Sequence, residues 1–88
     1  MNPKEWIKKK YMDVYLKQLK LSTQAIFEDM DEDTVTYMAF YIKEKYPELD
    51  TLQNKLDKFI TEHCKDKLIS FNVDFFGKKK SIEVKLRW

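Results

Sequence analysis

The chain has 88 residues, 43% hydrophobic and 36% charged, with a net charge of +2. This composition predicts one folded domain over residues 1–88 with a modest core, and it argues against disorder. One cysteine, Cys64, excludes an internal disulfide, and so small a net charge points to no class of partner by itself. No run approaches the roughly 18 apolar residues of a membrane span, and the charged start leads into no apolar signal core, so a cytoplasmic chain with no membrane association is expected.

Asn2 and Pro3 open a first helix, Asn as a cap and Pro at the first helical position. Ile7, Tyr11, Val14, Tyr15 and Leu19 recur at helical spacing and predict its inner face, with Lys9, Lys10, Asp13, Lys17 and Lys20 opposite and an end near Lys20. Trp6 falls on the polar side, either as a packing residue at the helix start or as an exposed anchor for a partner. Ser22 and Thr23 are cap residues for a second, short helix through about Met30.

An acidic cluster follows: Glu28, Asp29, Asp31, Glu32 and Asp33. Alternate aspartates suggest a calcium loop, but Thr34 stands where the turn glycine belongs and Phe40 where the bidentate glutamate belongs. No metal is expected; acids gathered ahead of a helix offset its macrodipole. The next helix is predicted over 34–46, with Val35, Met38, Ala39, Ile42 and Tyr46 as its stripe. Tyr37, Phe40 and Tyr41 widen that stripe until the helix is central to the fold. Pro47 stops it.

A turn leads to a fourth helix over 51–65, opened by Asp50 with Gln53 as a capping-box variant. Leu52, Leu56, Phe59, Ile60 and His63 form its apolar side, and His63 complements the dipole at the helix end when charged. Strict alternation then takes over. Ile69, Phe71, Val73 and Phe75 point one way, and Ile82, Val84, Leu86 and Trp88 match them across a loop at 77–80. Pairing Phe75 with Ile82 aligns every inward residue and makes this hairpin the floor for the helices. The predicted fold is therefore α+β: three to four helices, then a C-terminal two-stranded antiparallel β-hairpin.

The residues that carry chemistry are sparse. His63 and Cys64 are adjacent and project about 100° apart on a helix, so they form no nucleophile–base pair with each other. A single glycine allows no glycine-rich phosphate loop, and no spacing suits a metal or cofactor. A non-catalytic binding or regulatory protein without cofactors is expected. Lysine-rich, alanine-poor composition is what AT-rich coding produces, as in a low-GC bacterium or its phages.

Helix, turn, helix and hairpin with a basic tip, in that order over residues 34–88, resemble the C-terminal part of a winged-helix domain. The resemblance implies double-stranded DNA as partner, with 51–65 entering the major groove and the tip touching backbone. Gln53 and Asn54 suit an adenine edge and Lys55 a guanine edge, while Lys58, Lys65, Lys78, Lys79 and Lys80 suit phosphates. Three departures accompany it: the supporting helix is longer than usual, no strand pattern precedes it, and Asp57 and Glu62 lie on the recognition face. The alternative is a small inhibitor or adaptor that binds a host or cognate protein, or another copy of itself. It would act through Trp6, Tyr37 and Tyr41 and the acids Glu28, Asp29, Asp31, Glu32 and Asp33.

Overall fold

The computed structural model describes residues 3–87, with side chains from Lys9 onward. The expected anchor Trp6 therefore lies outside the described side chains, and Trp88 lies outside the described residues. Three helices come first: α1 (Pro3–Thr23), α2 (Glu32–Lys45) and α3 (Leu52–His63). Three strands follow: β1 (Cys64–Lys65), β2 (Leu68–Phe75) and β3 (Lys78–Lys85), in one antiparallel sheet of order β1-β2-β3. The α+β class holds, with three strands rather than two and no separate helix at 22–30. No helix among the described residues is long and apolar enough to cross a membrane.

The second predicted helix fails because Thr23 does not act as an N-cap. Its hydroxyl donates to the Leu19 carbonyl at 2.8 Å and the residue is buried, so α1 runs on through it. The chain then turns on Thr23 and enters an extended segment at Phe27. The inner face of α1 also differs from the expected one. Met12, Tyr15, Leu16 and Leu19 face the core, while Tyr11 and Val14 are exposed. Both sets obey helical spacing, and packing against α2 selected between them.

Later helices follow their patterns closely. Asp31 caps α2, its carboxylate accepting from the Thr34 N–H at 2.7 Å, with Glu32 and Asp33 in the first turn. All five residues of the predicted stripe, Val35 to Tyr46, are buried. The cap of α3 is Thr51 rather than Asp50, with its hydroxyl accepting from the Asn54 N–H at 3.2 Å. Its predicted apolar side holds: Leu56 and Phe59 are buried, and Leu52, Ile60 and His63 are half-buried.

Hairpin register is the main correction. Phe75 pairs with Lys78, Val73 with Lys80, Phe71 with Ile82 and Ile69 with Val84, four positions from the expected alignment. The loop is two residues, Phe76 and Gly77, both at positive φ, as a type I′ turn requires. That turn matches the strand twist and lets Lys78, Lys79 and Lys80 join the ladder as eight pairs form. An even shift leaves every side chain on its expected face. Ile69, Phe71, Val73, Val84 and Leu86 therefore still form the buried floor.

Leu86 runs past the start of β2 and bridges Phe27 instead. Three backbone hydrogen bonds fix this end: Glu28 N–H to the Lys85 carbonyl, Arg87 N–H to that of Ile26, and Leu86 N–H to that of Lys67. The segment between α1 and α2 thus lies against β3 on the side away from β2.

Candidate functional site

Two of the α3 candidates, Gln53 and Lys58, are engaged with their own neighbours. Gln53 donates through Nε2 to Asp57 at 2.9 Å. Lys58 pairs with Glu48 at 3.1 Å and sits 5.5 Å from the centre of the Tyr46 ring. The Glu48 backbone N–H and Lys58 hold the Glu48 carboxyl below its usual range. Asn54 and Lys65 are exposed, and Lys55 is half-buried. From Glu48 to Lys65 the acids Glu48, Asp50, Asp57 and Glu62 outnumber the three lysines, so this stretch carries no excess of positive charge.

Lys78, Lys79 and Lys80 are exposed, but in β3 rather than in a loop. Lys79 lies across from Asp74 on the outer face, while Lys78 and Lys80 share the apolar face with Phe75 and Val73. Charges placed inward near a free strand edge discourage edge-to-edge pairing. α3 packs on β1 and β2, and no hydrogen bond or ion pair among the described residues joins it to these lysines.

Tyr37 and Tyr41 are half-buried, each packed against aromatic rings of the interior. Tyr37 meets the Phe75 ring edge-on at 5.5 Å, and Tyr41 packs against Phe59, Phe71 and His63. The Tyr41 hydroxyl lies 3.0 Å from His63 Nε2, and Tyr46 donates to Glu62 at 2.9 Å. His63 is therefore part of an aromatic cluster in the last turn of α3, and partial burial lowers its pKa. The acidic residues Glu28, Asp29, Asp31, Glu32 and Asp33 are all exposed. Asp31 is the cap and Glu32 pairs with Lys20, while hydrogen bonding to Thr34 lowers the Asp31 pKa.

The feature outside every predicted set is Phe76. It is 87% exposed, the most exposed large apolar side chain described, and its φ is 53°. Among the described residues, the other non-glycine positions at positive φ are Asp29 and Asp66, a type that tolerates this region. Phenylalanine does not, and the strained backbone costs about 1 kcal/mol with no burial to offset it. Beside Phe76 runs a groove of about 790 Å³ between α1, α2 and the hairpin tip. Met12, Leu16, Phe40 and Phe75 form its apolar walls, and Phe40 and Phe76 each meet the Phe75 ring edge-on, at 5.1 and 4.6 Å. Lys9, Asp13, Lys43 and Glu44 stand around it.

The sequence held one signal for this site. Phe75 and Phe76 are adjacent in an alternating segment, so both cannot face the core.

What the geometry defines is a three-helix, three-strand α+β domain with an apolar groove at its hairpin tip. No protein-family model, curated protein or solved structure matches this chain.

Proposed function

We propose that this protein is a small non-catalytic protein-binding module whose contact surface centres on Phe76. The supporting observation is a large aromatic ring held in solvent at positive φ, where asparagine or glycine would be the stable choice. Its place at the mouth of an apolar groove supplies the anchor-and-pocket chemistry that binding surfaces use.

Phe76→Asn separates binding from folding. Asparagine suits the first position of a type I′ turn, so the variant is expected to be more stable by about 1 kcal/mol. As affinity baits in lysate of the source cells, wild type should retain a stoichiometric protein that F76N does not. Equal retention by the two baits, or none by either, would overturn the proposal.

Winged-helix-like DNA binding is the second reading, favoured by the bridge from Phe27 to Leu86. It supplies a short extended pairing between the first two helices, beside the last strand, where the winged-helix resemblance calls for a strand. The acidic balance around α3 ranks this reading second. Its test is duplex DNA at low salt with wild type and with Lys78, Lys79 and Lys80 changed together to Glu. Retention of duplex by wild type, lost in the variant and at high salt, would support it.

A further inference from the structure

A projecting ring and a groove lie side by side on one surface of this protein. Phe76 is the projection, and Met12, Leu16, Phe40 and Phe75 line the groove next to it. An interface between two identical copies needs a patch that is complementary to itself. A two-fold axis passing between knob and groove sets each copy's knob against the other's groove.

Charge around the groove points to the same occupant. Lys9 and Asp13 stand one turn apart on α1, and Lys43 and Glu44 are consecutive on α2. This rim holds two cations and two carboxylates. A uniformly acidic partner meets like charge at Asp13 and Glu44, and a uniformly basic one meets it at Lys9 and Lys43. A second copy brings the same balanced set, so each lysine has a carboxylate to face. Like charges set across an interface disfavour the wrong partner, and balanced ones favour the right one.

We infer that this groove is a self-association site, in which the Phe76 ring of each copy enters the groove of the other. The inference rests on the protein-binding reading and names its partner as a second copy of this chain. It also gives the strained turn a purpose, since a rigid two-residue loop, with Phe75 edge-on behind it, keeps the Phe76 ring exposed at the hairpin tip. The groove engages ten of the described residues, fewer than the roughly 20–30 per side of a standard interface. The dimer is accordingly concentration-dependent, not obligate.

Sedimentation equilibrium on purified wild type and F76N, from about 1 to 500 µM, tests it. Wild type should pass from monomer to dimer, and F76N should associate about tenfold more weakly or worse. In a mixture of isotope-labelled and unlabelled wild type, filtered nuclear Overhauser spectra should connect the Phe76 ring to the Met12 methyl between copies. Two outcomes overturn the inference: a wild type that stays monomeric throughout, or a dimer that F76N forms equally well. If wild type is monomeric yet captures a different protein through Phe76, the second copy is ruled out and the protein-binding reading survives. If it is monomeric and captures nothing, both fall.

Discussion

His63 shows how one residue's setting decides its behaviour. It lies between the Tyr41 and Phe59 rings, with centroids at 5.3 and 5.0 Å, and is half-buried. Burial lowers its pKa below the ordinary histidine value. Nearby Glu62 and a hydrogen bond to the Ser70 backbone oppose that shift, and Lys45 adds to it. The folded state therefore resists protonation more than the unfolded chain does. The linked stability is fully present above the ordinary value of about 6.5 and declines as pH falls from there toward the lowered folded value. Urea midpoints measured at pH 7.5 and 5.5 should drop for wild type. The drop should shrink in His63→Gln; an equal drop in both would remove His63 as the cause. Tyr15 on α1 also sits in surroundings of low polarity: its buried hydroxyl has no hydrogen-bond partner, and burial pushes its pKa far above the tyrosine range.

At the scale of elements, local chemistry sets the ends of the helices and packing sets their faces. Asp31→Ala removes the side-chain acceptor for the Thr34 N–H and an acid from the positive end of α2. It should cost about 1 kcal/mol, seen as a lower urea midpoint with unchanged slope. Asp31→Asn keeps an acceptor there and should recover most of the loss. Both α2 and α3 were legible because their apolar stripes are dense and Pro47 separates them. The face of α1 was not, since Tyr11 and Val14 satisfy helical spacing as well as Met12 and Leu16 do. Turn choice hid the hairpin register. Aligning the most apolar pairs favours a four-residue loop, but positive φ at Phe76 and Gly77 closes the shorter one. The longer loop also hides the candidate site, because it puts the lysines at the tip and leaves Phe76 outside it.

Across the whole molecule, one closure joins the first third of the chain to its last residues. Phe27 and Leu86 are both buried, and they bridge across a single antiparallel contact. Without it, the link from α1 to α2 would hold to the sheet only through helix packing. A domain of this size has about 5–15 kcal/mol of stability, so a closure built on two core side chains is a large part of the whole. Truncation of either side chain removes buried apolar contacts and leaves a cavity. Phe27→Ala should cost about 3–5 kcal/mol and Leu86→Ala about 2–5. Because the two residues face each other, the second loss should be smaller once the first has been made. In a double-mutant cycle by urea denaturation, the pair should fall short of the summed single losses by about 0.5–3 kcal/mol. Strict additivity would mean that each side chain is held by the helices independently, and that the bridge is a backbone contact without a shared core. The closure lies apart from the groove by chain position, so a milder variant, Leu86→Val, should lower stability while leaving Phe76-dependent association in place. An association lost in step with stability would instead tie the tip to the far end of the sheet.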